Sequence, residues 1–235
     1  MKIALKTLTL VLLLTGCMML HAGTVTVGSY DSGNCYPFMC NDSGTSSGVS
    51  IDYQQAYNSA KFSGPLAIST ITWEWWPGST SSIALGGNYS FYWGYSAVGL
   101  GLSSNLASNY NGAANFLGTA SIPSGGINDN PTLTLTLGSP FTYNPANGDL
   151  ILEIVVDTQD NVANGSGNGY NWADLTGSDT TRAFCLTGFG CFSSGTGALV
   201  TTFGGASAVP EPGTLVMFGS GFLGLAGMLR RKINL

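Results

Sequence analysis

The sequence predicts an all-β fold, a β-sandwich or jelly roll, and three observations predict it. Apolar and polar residues alternate with period two in several short segments. No 3.6-residue helical pattern persists between residues 23 and 208. The 34 glycines, with many Asn, Ser and Asp clusters, punctuate the chain as turns between short strands.

Taken in order, TVTVGS at 24–29 alternates as a first strand, and a Gly/Ser/Asn loop follows it. LAISTITWEWW at 66–76 reads as a strand with Ile68, Trp73 and Trp75 among its large residues, ended by Pro77-Gly78. NYSFYWGYSAV at 88–98 places Tyr89, Phe91, Trp93 and Tyr95 at every second position. TLTLTL at 132–137 puts Leu133, Leu135 and Leu137 on one face. FTYNPANGDLILEIVVDT at 141–158 is a strand, a turn at 144–148, and a strand with Leu150, Leu152, Ile154 and Val156 on one face. ALVTTF at 198–203 is the last strand. Seven to ten such strands in about 185 residues are enough for one two-sheet core, and no repeat or interior linker calls for a second domain.

The two ends read differently. Lys2 and Lys6 precede an apolar run from Leu8 to Leu20, and a small residue, Ala22, stands before Gly23. That pattern describes a signal peptide, residues 1–22, cut after Ala22. A rival reading takes Leu14-Thr15-Gly16-Cys17, which resembles a bacterial lipobox, and makes Cys17 a lipidated first residue. At the other end, residues 204–213 (GGASAVPEPG) are expected to form a linker, because small residues and proline hold a strand poorly. Residues 214–229 carry no charge and reach ~24 Å as a helix, enough for a transmembrane segment with slight mismatch. Arg230, Arg231 and Lys232, within 230–235, then stay on the cytoplasmic side and leave the sandwich, 23–203, outside.

Between residues 23 and 208 two bases, Lys61 and Arg182, against eleven acids leave a side-chain charge of −9. Such a surface does not attract nucleic acid or anionic headgroups. Cys35, Cys40, Cys185 and Cys191 make an even set, which in an exported chain predicts two disulfides. Three pairings exist, and the short loops favour Cys35–Cys40 with Cys185–Cys191. Neither spacing is C-x-x-C and histidine is absent after residue 21, which argues against zinc.

Chemistry is sparse. The one histidine, His21, falls in the signal peptide, so the domain has no histidine-based triad. A two-carboxylate hydrolase remains, with Glu74, set between Trp73 and Trp75, and Glu153 as the suggestive acids; solvent-facing positions on half-buried strands explain both more simply. Trp75, Trp76, Tyr92 and Trp93 would make an aromatic platform for sugar rings. Alternation instead assigns Trp73, Trp75, Phe91 and Trp93 to the core, and leaves Trp76, Tyr92 and Tyr170 or Trp172 as sugar-binding candidates. Asp157, Asp160 and Asp174, with nearby Asn and Gly, offer oxygen ligands for a structural calcium, although the EF-hand pattern is not met. An ice-binding array would need threonine rows on several stacked strands, and the sequence displays one, Thr132, Thr134 and Thr136.

The tail supports a more specific reading. Val209-Pro210-Glu211-Pro212-Gly213, the apolar stretch and the terminal basics together resemble the PEP-CTERM sorting signal of Gram-negative bacteria, a segment also labelled "ice-binding protein C-terminal domain". The resemblance implies that a membrane-embedded enzyme, exosortase, removes the tail and passes the protein from the inner membrane to the cell surface or exopolysaccharide. Proline-flanked backbone stays extended and unpaired, which suits such an enzyme. Within the domain, Tyr53 to Tyr57, Phe62 to Pro65, Phe141 to Ile154 and Gly197 to Thr201 resemble a group of secreted bacterial jelly-roll proteins, and no activity transfers with that likeness. The expectation is a non-enzymatic, structural, exopolysaccharide-associated surface protein; a carbohydrate-binding module is the alternative, and a glycoside hydrolase comes last.

Overall fold

A computed structural model of the chain describes residues 21–38, 40, 50–77, 86–123, 132–159 and 171–207. Residues Ala22–Ala206 form one compact unit. Its strands are β1 (His21–Val27), β2 (Ser32–Asn34), β3 (Ile51–Tyr57), β4 (Leu66–Glu74), β5 (Gly87–Tyr95), β6 (Asn115–Ile122) and β7 (Thr132–Tyr143). They continue as β8 (Leu150–Gln159), β9 (Asn171–Asp174), β10 (Thr180–Leu186), β11 (Gly190–Ser194), β12 (Ala198–Leu199) and β13 (Thr201–Ser207). The helical pieces among the described residues are short 3-10 turns such as Pro145–Asn147, whose preceding Asn144 caps Ala146 N.

One layer is a six-stranded sheet in the order β11-β10-β3-β8-β5-β6. The other is divided into a four-stranded sheet, β1-β13-β4-β7, and a three-stranded sheet, β12-β9-β2. The alternating faces meet between the layers as expected for a sandwich. Leu150, Leu152, Ile154 and Val156 of β8 lie in the core with Ile68, Ile71 and Trp73 of β4 and Phe203 of β13. Rings bridge the layers: Trp93 stacks on Phe141 at 4.5 Å, and Tyr57 meets Phe203 edge-on at 4.9 Å. Each fully buried ring of this kind removes enough apolar surface to contribute about 2–3 kcal/mol. Ile68 and Trp73 have opposite parity in the sequence yet share the core face, because β4 bulges between Ile68 and Thr70.

The aromatic assignments divide. Trp73 and Phe91 are buried, Trp93 packs at the core margin, and Trp75 is half-buried in an isolated bridge to Asn171. Two sequence expectations are corrected. The last strand is two strands, since β12 joins β9 while β13 joins the four-stranded sheet. The linker also does not begin at 204: β13 runs on through Gly204 and Gly205 to Ser207. There, small residues are what the site requires, because a Cβ on Gly205 would collide with the carbonyl of Ala67 on β4.

Both disulfides have the favoured pairing, Cys35–Cys40 and Cys185–Cys191. Cys185 and Cys191 are direct partners in the β10–β11 register. Among the described residues no helix is long and apolar enough to cross a membrane. The expected signal peptide, except for its last two residues, lies outside the described residues, as do the sorting motif, the span at 214–229 and the basic tail.

Candidate functional site

The outer face of the four-stranded sheet is rich in threonine. In the β4–β7 register, Thr70 faces Thr136, Thr72 faces Thr134 and Glu74 faces Thr132. Alternation puts all of these away from the core, whose side is taken by Ile71, Trp73 and Leu135. Thr24 and Thr26 on β1 are exposed, and the Thr26 hydroxyl pairs with that of Thr202 on β13 at 2.8 Å. A second cross-strand pair joins the Thr72 and Thr134 hydroxyls at 3.0 Å. The one threonine row legible in the sequence is thus joined by others that only strand pairing brings alongside.

At one end of this face stands an aromatic pair. Tyr30, 44% exposed, packs edge-on against Trp172 with ring centroids 5.4 Å apart. Its hydroxyl donates to Glu74 Oε1 at 3.1 Å. Partial burial, then the Glu74 charge and that hydrogen bond, push the Tyr30 phenol above its ordinary range. The segment is held firmly: Asp31 N donates to Ala173 O, and Leu175 N donates to Asp31 Oδ2. Gly28 takes φ +106, which lets the chain turn tightly past Val200 and Asp174.

The outer face of the six-stranded sheet is different in kind. Residues 96–114 fold over it, and Leu102 and Leu106 cluster with Ala56, Ile151 and Ala183. Beneath them Gln54 Nε2 donates to Glu153 Oε1 at 2.8 Å and to Leu106 O, and Asn109 Nδ2 donates to Gln54 Oε1. The Tyr110 hydroxyl donates to Glu153 Oε2 at 3.1 Å. Asp52 lies against Glu153, and its carboxyl is pushed up to about 7, first by desolvation and then by the charge and hydrogen bond of Glu153. Asp52 therefore holds its proton close to neutrality beside Glu153.

This pair sets a pH dependence. The folded state keeps a proton on Asp52 that the unfolded chain releases near pH 4, so the contribution to stability is complete below pH ~4 and lost as pH rises toward 7. Contact with water screens the effect to about 1–2 kcal/mol. Urea titrations of the purified exported protein and of Asp52→Asn should show their stability difference shrinking by that amount between pH 4 and pH 8. A difference constant with pH would contradict a proton retained on Asp52.

The sugar-binding candidates fall in three places. Trp172 joins Tyr30, Tyr92 lies 5.4 Å from the ring of Phe116 on the six-stranded sheet, and Trp76 follows the end of β4 half-buried. Phe116 is 59% exposed and, like Tyr30, had no distinguishing sequence signal. Glu74 and Glu153 stand on the outer faces of different sheets and form no carboxylate pair. Of the calcium candidates, Asp174 is fully buried and accepts from Thr176 N and Oγ1 on one oxygen and from Thr180 Oγ1 on the other. Asp160 lies outside the described residues, and only the backbone of Asp157 lies within them. Among the described residues no group of three or more His, Cys, Asp or Glu is placed to hold a metal.

Beyond β13 the chain carries the Pro-Glu-Pro segment, the apolar run and the terminal bases. Residues 208–232 match the PEP-CTERM protein-sorting motif. The PEP-CTERM motif implies an exported protein, made as a membrane-anchored precursor and processed by exosortase. No curated protein and no solved structure matches the chain.

Proposed function

We propose that the chain is a structural, non-enzymatic protein of a Gram-negative cell surface or extracellular matrix, associated with exopolysaccharide after exosortase removes its tail. The motif at 208–232 is the observation that carries this reading. The fold suits it. Thr26 lies beside Thr202, and Thr24 beside Gly204, so β1 and β13 run antiparallel and Ala22 and Ala206 lie toward the same end of the sandwich. Both termini of the domain therefore lead toward one pole, and the Tyr30–Trp172 pair occupies the other.

Fractionation of tagged protein with and without the sorting enzyme tests the reading. The released protein should lack the residues after the Pro-Glu-Pro segment by intact mass, and cells without the enzyme should retain the full-length form in the inner membrane. Released protein with its tail intact would contradict it. Carbohydrate binding is the second reading, favoured by the partly exposed Tyr30 and Trp172 rings beside Glu74. Hydrolysis has less support, since among the described residues Glu74 accepts a hydrogen bond from a phenol rather than pairing with a second carboxylate.

A further inference from the structure

We infer that the outer face of the four-stranded sheet docks a neutral polysaccharide chain, gripped at one end by Tyr30 and Trp172. This rests on the carbohydrate-binding reading and adds the face, its residues and the charge class of the polymer. Threonine hydroxyls recur across strands every ~4.8 Å and along a strand every ~7 Å. Each hydroxyl both donates and accepts, as sugar hydroxyls do, and each methyl offers an apolar contact to a sugar C–H. The Thr26–Thr202 and Thr72–Thr134 pairs hold four of these side chains in place before any ligand arrives, which lowers the entropy lost on binding.

Charge decides between polymer classes. The threonine rows carry no base, and their single acid, Glu74, already accepts from Tyr30. Lys61 is paired with Asp179, and Arg182 donates to Thr196 O while lying over the Phe184 ring of β10, away from these rows. An anionic polymer therefore finds no partner on the face and meets a domain of net charge −9. A neutral chain pays no such penalty, and the Tyr30 and Trp172 rings supply the stacking surface that directs it.

The test is affinity electrophoresis of the exported protein purified from cells, in native gels containing neutral glucan, mannan or galactan, or anionic alginate. At least one neutral polymer should retard the protein and alginate should not. Thr72→Val with Thr134→Val keeps shape and strand preference while removing two hydroxyls, and should weaken retardation at least tenfold, as should Trp172→Ala. Phe116→Ala, on the other sheet, should leave it unchanged, and unaltered melting temperatures exclude misfolding. No retardation by any neutral polymer, or retardation by alginate alone, would overturn the inference. Binding lost in Trp172→Ala but kept in the double valine variant would overturn the threonine face and leave carbohydrate binding standing. Loss in Phe116→Ala alone would move the site to the other sheet and overturn the inference. None of these outcomes alters delivery by exosortase, which the fractionation experiment reads separately.

Discussion

Replacing Gln55 with leucine is expected to cost about 3–5 kcal/mol, although nothing in the sequence sets Gln55 apart from other polar residues. Its side chain is 1% exposed and imitates a strand backbone. Gln55 Oε1 accepts from Leu199 N at 2.8 Å, and Nε2 donates to Leu199 O at 2.6 Å. The same Oε1 accepts from the Tyr53 hydroxyl at 2.9 Å. One amide thus joins β3 of the six-stranded sheet to β12 of the facing layer, at the point where that layer is divided between two sheets. Leucine fills the volume but leaves the Leu199 N–H and the Tyr53 hydroxyl buried without these partners, at about 1–3 kcal/mol each. Tyr53→Phe removes a donor and leaves the Gln55–Leu199 pair whole, so it should cost only about 1 kcal/mol. In the double variant the Tyr53 hydroxyl is no longer stranded, and its cost should fall below the sum of the single costs. Urea unfolding of the four proteins measures the cycle. A Gln55→Leu variant as stable as the parent would remove the amide from any role in joining the layers.

The same residue explains what was legible in the sequence. Strands with one face in the core and one in water announced themselves: Tyr89, Phe91 and Trp93 of β5, and the leucines of β7 against their threonines. In β3 the period-two signal is hidden because both faces are covered. Gln54 and Gln55 are both buried, one under residues 96–114 and the other under β12, so polar residues stand where apolar ones would have marked a strand. The β10–β11 hairpin is rich in Thr, Gly, Ser and Cys and depends on register and a disulfide more than on apolar alternation. The candidate face was legible only in parts. Trp172 was identifiable as a large ring in a polar stretch, and one threonine row was visible. The contact between Tyr30 and Glu74 spans 44 residues and depends on the path of the chain after β1. Long-range pairing also created the carboxyl pair of Asp52 and Glu153, which no local spacing foreshadows.

Gly205→Ala is the second large effect, expected to destabilise the protein by about 2–3 kcal/mol, in the upper range for an overpacked site. The added methyl would meet the carbonyl of Ala67, with the Cα of Ile68 3.0 Å away, so the obstacle is backbone rather than a side chain able to turn aside. The crowding arises at the β4 bulge between Ile68 and Thr70, where β13 lies against an irregular strand. Gly64→Ala is the control: nothing lies within 4 Å of the new methyl, and the change should stay within about 0.5 kcal/mol. At roughly 2–4 °C per kcal/mol for a domain of this size, thermal unfolding should separate the two variants by about 5–10 °C. β13 is also the strand after which the chain runs on into the sorting motif. A Gly205→Ala protein that melts with the parent would mean that the end of β13 releases from β4 at little cost. The Gly-Gly pair would then belong functionally with the tail, as the sequence alone suggested, rather than with the sheet.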